Sequence, residues 1–208
     1  MNAKKLMSLV LAAALMVTAS GAALADTIEP NPPKISLEDL GDRFVTTNLE
    51  YKGDGIVTFT LLENEQFDAE AIKAAKAGDV IFTDGEEITV DTVEWDGPDL
   101  YFNRGTDREM LFADNADGTF ERVMEDDMVP QLNLGSMDKE IEPYVVMLDW
   151  VDAETGDLLE EVAVRTGDEL KALLEKGDGP SFAVENVRVL YDHNGQPVLV
   201  WRFYSSAQ

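Results

Sequence analysis

The feature that most constrains this chain is its punctuation. Gly is followed by Asp at Gly41, Gly53, Gly78, Gly156, Gly167 and Gly177, and Asp by Gly at Asp84, Asp96 and Asp117. Both residues favour turns, Gly because it takes positive φ without a Cβ clash, and Asp because its carboxylate can bond its own backbone two residues on. Between the turn signals lie short runs rich in Val, Ile, Thr, Phe and Tyr, residues that suit a pleated backbone. The Gly-Asp spacings share no period, which excludes a solenoid. The expectation is a fold of many short strands.

The amino end is different in kind. Lys4-Lys5 precede an apolar run from Leu9 to Val17, and Ala23-Leu24-Ala25 stands before Asp26. That is the layout of a secretory signal with an A-x-A cleavage site, so residues 1–25 are expected to be removed and the product to be secreted or periplasmic, from a bacterial source. The alternative is an uncleaved anchor, since Leu6 to Ala25 is just long enough to span a bilayer. Removal takes two lysines and no acid from a chain already at −26, with 42 Asp and Glu against 16 Lys and Arg. A surface of that sign repels nucleic acid and anionic lipid, so neither is an expected partner. With no Cys there are no disulfides, thiolate metal sites or Cys nucleophiles.

Along the rest of the chain the reading is α+β, mostly antiparallel β. Asp26 to Lys34, with Pro30, Pro32 and Pro33, is expected as an extended leader. Residues 35–123 form a small barrel-like part: a hairpin of Phe44–Tyr51 and Ile56–Leu62, a helix over Asp68–Lys76, then strands at Val80–Thr83, Ile88–Trp95, Leu100–Asn103, Met110–Ala113 and Thr119–Val123. The run Ala77-Gly78-Asp79-Val80-Ile81-Phe82 resembles the Gly-Asp turn that opens a strand in many small β-barrels, which implies fold alone. Residues 124–142 lose the strand pattern at Glu125-Asp126-Asp127, Pro130 and Gly135, and read as an acidic linker or a crossover. Residues 143–208 read as ββαββ: strands Tyr144–Val151 and Leu158–Val164, a helix capped by Thr166 and Glu169 with a Leu170, Leu173 and Leu174 stripe, and strands Phe182–Tyr191 and Val198–Tyr204. A helix over one face of a four-stranded antiparallel sheet buries that stripe.

Chemistry-bearing patterns are sparse. Calcium wants clustered oxygens, and two turns offer them: Asp114, Asn115 and Asp117, and Asp152, Glu154 and Asp157. Neither has EF-hand spacing, and the competing reading of each is a solvated hairpin tip. His193 is the single imidazole, which rules out H-E-x-x-H and leaves a Ser-His-Asp triad without a buried base. No G-x-S-x-G and no phosphate-binding Gly loop occurs. A carboxylate-dependent glycan hydrolase needs two facing acids, and the sequence does not single out a pair. Binding remains. Leu199, Trp201 and Phe203 alternate with Val198, Val200, Arg202 and Tyr204, so both faces of this strand are apolar. The helix can cover only one. The other face is expected to meet the rest of the chain, a second chain or a ligand, with Trp201, Tyr204 and Tyr191 as contact residues. The sequence therefore reads as a non-catalytic binding or accessory module with an extracellular glycan or protein partner and no cofactor unless calcium. A glycan hydrolase and a calcium-dependent interaction module are the alternatives.

Overall fold

The computed structural model describes residues 25–38, 40–41, 43–124, 128–152, 154–176 and 187–203. Residues 1–24, which carry most of the expected signal, lie outside them, as does Tyr204. The described chain is mostly β, with three mostly antiparallel sheets and no closed barrel.

The first hairpin forms where the turn chemistry places it. Strands β2 (Arg43–Gly53) and β3 (Ile56–Asn64) pair antiparallel around Asp54 and Gly55, which take φ of 52° and 79°. A two-residue turn of that hand matches the twist of its strands. Val45, Thr47 and Leu49 face inward, Leu61 and Phe59 oppose Thr47 and Leu49, and buried Val57 opposes Tyr51. On its other side β3 pairs with β11 (Gln131–Glu140). This corrects the reading of 124–142 as linker or crossover. β11 is an edge strand with no fully buried residue, so it lacks the apolar alternation that betrays a half-buried strand.

Between β3 and β11 the chain builds a second, separate core. It comprises β4 (Phe67–Asp68), α1 (Ala69–Ala74), β5 (Val80–Thr83), β6 (Glu86–Thr89), β7 (Val93–Asp96), β8 (Asp99–Phe102), β9 (Met110–Asp114) and β10 (Thr119–Val123). The Asp68 carboxylate caps α1 by accepting the Glu70 and Ala71 N–H groups. One sheet has the order β4-β10-β9-β8-β7. The other is β1 (Thr27–Ile28) beside β5 and β6, with β1 parallel to β5. Both sheets are open, which corrects the barrel expectation. The leader is also corrected at its start, because β1 is a sheet strand and Ile28 is buried in this core. The strand expected over Ile88–Trp95 breaks after Thr89. There the Asn103 side chain accepts the Asp91 and Thr92 N–H groups and donates to the Thr89 carbonyl, replacing ladder bonds. Phe67, Phe102 and Phe112 stack edge to face at the centre, 5.3 and 5.4 Å between centroids.

The point where the chain departs from the first core adjoins the point of return. The Glu65 N–H donates to the Pro130 carbonyl at 2.8 Å, and the buried Glu65 carboxylate accepts the Thr83 hydroxyl at 2.7 Å and the Asp84 N–H at 3.0 Å. One side chain thus ties the inserted unit to its own base.

The carboxyl-terminal elements are β12 (Val146–Val151), β13 (Leu158–Thr166), α2 (Gly167–Glu175), β14 (Val187–Tyr191) and β15 (Pro197–Arg202), in the sheet order β13-β12-β15-β14. The central pair, β12 and β15, is parallel, which corrects the expectation of a wholly antiparallel sheet. Thr166 and Glu169 form the reciprocal capping box, and α2 drives Leu170 and Leu174 into the first core with Val45, Phe59, Met147 and Val200. An isolated parallel bridge between Gly41 and Tyr191 links this group to the β11-β3-β2 group.

Candidate functional site

Ladder register fixes which side chains share a face, because residues directly opposed in a sheet project to the same side. Leu148 lies opposite both Trp201 and Val164, Val146 opposite Leu199, and Trp201 opposite Arg188. These residues therefore occupy one side of the sheet. Met147, Asp149, Val189, Val200 and Arg202 occupy the other, where they are buried, the apolar ones beneath α2 in the first core. No residue of the first set belongs to either core. Val164 is 68% exposed and Val146 37%. Among the described residues, the outer side of the two central strands is an apolar surface, exposed at Val146 and half-buried at Leu148, Leu199 and Trp201.

One end of that surface is aromatic. Phe44, 40% exposed, meets the Trp201 ring edge to face at 5.9 Å, and Trp201 meets Phe203 at 5.7 Å. The exposed Arg188 guanidinium sits over the Phe203 ring at 5.3 Å. The Trp201 Nε1–H is covered and has no hydrogen-bond partner among the described residues. A buried unmet donor of this kind costs about 1–3 kcal/mol.

The inner side carries a different group. The Asp149 carboxylate is fully buried and accepts both Nε (2.8 Å) and Nη2 (2.8 Å) of Arg202 and Nε of Arg165 (2.7 Å). It also accepts the Val151 N–H, while Arg202 Nη2 reaches the Val151 carbonyl at 3.1 Å. Asp149 and Arg202 are directly opposed across the parallel pair, so the bidentate bond pins that register. Nothing here is aimed at solvent, and its role is to hold β12 against β15.

Of the expected contact residues, Trp201 lies on the open surface. Tyr191 does not, which corrects that expectation. It is fully buried on the opposite side, edge to face with Phe59 at 6.1 Å and bonded through its hydroxyl to Thr47 Oγ1 at 3.2 Å. Burial pushes its phenol well above the usual range. Tyr204 lies outside the described residues. Phe44, Arg188, Leu148 and Val164 were not anticipated. The alternation in β12 was a signal for Leu148, but the pairing of β12 with β15 is set by strands some fifty positions apart.

The acidic turns spend most of their bonded oxygens on themselves, Asp114 Oδ2 pairing instead with Lys73 Nζ at 3.4 Å. Asp114 Oδ1 accepts the Ala116 N–H, Asn115 donates to the Thr119 hydroxyl, and Asp117 accepts both the hydroxyl and the N–H of Thr119. Those bonds, the hydroxyl first, hold the Asp117 carboxyl below its ordinary value. Asp152 accepts the Thr155 and Glu154 N–H groups and is lowered for that reason. Glu154 and Asp157 are exposed on the same turn. Among the described residues, no three acidic or imidazole side chains converge as a metal would require.

An open hollow of about 290 Å³ lies between Leu37, Leu40, Met137 and Lys139 on one side and the turn of His193, Asn194 and Gly195 on the other. Among the described residues, Glu38 is the one carboxylate lining it. Comparison of the chain with protein-family models, with curated proteins and with solved structures finds no match.

Proposed function

We propose that this chain is an exported, non-catalytic binding or accessory module of the cell envelope or extracellular space, with the ββαββ unit as its binding platform. Export rests on Lys4-Lys5, the apolar run to Val17 and Ala23-Leu24-Ala25. Binding rests on one observation: the two central strands of the carboxyl-terminal sheet bury one side under α2 and leave the other, with exposed Val146 and half-buried Leu148 and Trp201, partly open beside the exposed Val164 of β13. Central strands covered on one side only, with an aromatic cluster on the other, have the composition of a recognition surface rather than of a finished exterior.

The test is to purify residues 26–208 with Trp201 intact and as Trp201→Ala, and to probe both against glycan and peptidoglycan-fragment arrays and the secreted proteins of the source, in calcium and in chelator. The expected outcome is binding by the intact chain that Trp201→Ala reduces at least about tenfold, the effect of losing a central aromatic anchor, and that chelator leaves unchanged. Binding indifferent to Trp201 would remove the surface from consideration, and chelator-sensitive binding would move attention to the Asp114 and Asp152 turns.

A further inference from the structure

The start of β1 is tied to a buried carboxylate. The Asp26 N–H donates to Asp79 Oδ1 at 3.1 Å, and the Asp26 carbonyl accepts the Val80 N–H at 2.9 Å, which sets β1 beside β5. The Asp79 side chain is only 3% exposed. Its Oδ2 accepts the Lys76 N–H at 3.0 Å, and the Lys76 ammonium stands 3.4 Å from Asp79 Oδ1 and 3.7 Å from the Asp26 carboxylate. The Asp79 carboxyl is held below its ordinary value first by the Lys76 N–H and next by the Asp26 N–H. Among the described residues, no other cation lies within ion-pair distance of either carboxylate. Two carboxylates thus share one lysine, and one of the two is covered, where a charge needs full compensation.

We infer that cleavage after Ala25 supplies the second cation: the new α-ammonium of Asp26 pairs with Asp79 and fixes the first strand of the processed chain on the inner core. The inference rests on the export reading above and adds what the processed end does. The peptide bond that Ala23-Leu24-Ala25 marks for cutting is the one whose nitrogen already points at Asp79. Its hydrolysis consumes one water. The oxygen goes to the Ala25 carbonyl carbon, whose carboxylate departs with residues 1–25, and the nitrogen ends as an ammonium with three N–H groups. One neutral donor becomes a cation in the same place, and the local tally becomes two carboxylates and two ammonium groups. A charge-assisted bond of this kind is roughly twice as strong as a neutral one. The strand it secures needs the help. β1 has two residues, Thr27 and Ile28, opposite Val80 and Ile81, and it carries Ile28 into the inner core.

The test begins with the full chain, residues 1–208, expressed in a bacterial host, and the amino end of the exported product read by mass spectrometry; Asp26 is expected. The α-amine of that product is then titrated by competitive acetylation, in the parent and in Asp79→Asn, beside a chain that begins at Ala25 and so carries its amine one residue further out. The Asp26 amine is expected to titrate about one unit above the ordinary value of about 8, and the Ala25 amine and the Asp26 amine of Asp79→Asn at about 8. The chain beginning at Asp26 is expected to melt about 2–4 °C above the chain beginning at Ala25, a difference that Asp79→Asn abolishes. The comparison of the two ends keeps every side chain of the fold, so it stands even where Asp79→Asn folds poorly. An Asp26 amine with an ordinary titration, or equal melting of the two ends, overturns the inference and leaves cleavage standing. A loss on Asp79→Asn that is the same for both ends assigns Asp79 to the Lys76 turn alone and overturns it as well. An exported product that begins elsewhere, or that keeps residues 1–25, removes the cleavage reading and the inference together.

Discussion

At the scale of the residue, the Asp149-Arg202-Arg165 group carries the clearest consequence. Two of its members are removed from water, and a buried charge is tolerable only while its hydrogen-bonding capacity is met. Arg202→Met leaves Asp149 buried with Arg165 alone and is expected to cost about 3–5 kcal/mol in urea unfolding. The double change Asp149→Leu/Arg202→Met is expected to cost less than Arg202→Met alone, because it removes the stranded charge together with its partner. A double variant less stable than Arg202→Met would show that the group contributes net stability and not register. Little of this was legible beforehand. Arg202 shares an otherwise apolar face with Val198 and Val200, and only the pairing of β15 with β12 places it opposite Asp149.

At the scale of the element, local chemistry was readable and long-range pairing was not. The Thr166-Glu169 box, the Asp54-Gly55 turn and the Leu stripe of α2 each lie within a few residues and follow from propensity. The parallel pairing of β12 with β15, and of β1 with β5, joins strands about fifty residues apart whose own alternation says nothing about neighbours. Strand β11 escaped notice because an edge strand need not be apolar on either side. Gly167 shows where tertiary context reverses a propensity. Ala is favoured over Gly in a helix by about 1 kcal/mol, yet a Cβ at Gly167 would collide with the Glu142 carbonyl and crowd Pro143, both backbone atoms. Gly167→Ala is therefore expected to lower the urea midpoint despite its helix-forming side chain, and a raised midpoint would show that the 142–143 corner yields freely.

At the scale of the whole molecule, stability is tied to pH through carboxylates that serve turns and caps. Asp79 is held below its ordinary value first by the Lys76 N–H, Asp117 by the Thr119 hydroxyl, Asp152 by the Thr155 N–H, Glu169 by the Thr166 N–H and Asp192 by the Gln196 N–H. Each has a lower value folded than unfolded. The stability they contribute is complete above the unfolded values of about 4 and is lost as pH falls through the folded ones. The melting temperature is expected to be nearly level from neutrality to about pH 5 and to fall below about pH 4, as differential scanning calorimetry would record; a rise on acidification past that point would contradict the assignment. The nested layout has a consequence in time as well. A chain emerging amino end first has every strand of the inner core in hand once Val123 has appeared, whereas the outer core still waits for β11, then for β12, and for β15 near the last residue. During synthesis the inner unit can be finished while the β2-β3 hairpin that precedes it remains half-dressed, its apolar side unclaimed until β12 and β15 arrive. Strand β15 completes both the parallel pair and the surface proposed for recognition, so a chain cut short before it loses that surface before it loses its first-formed core.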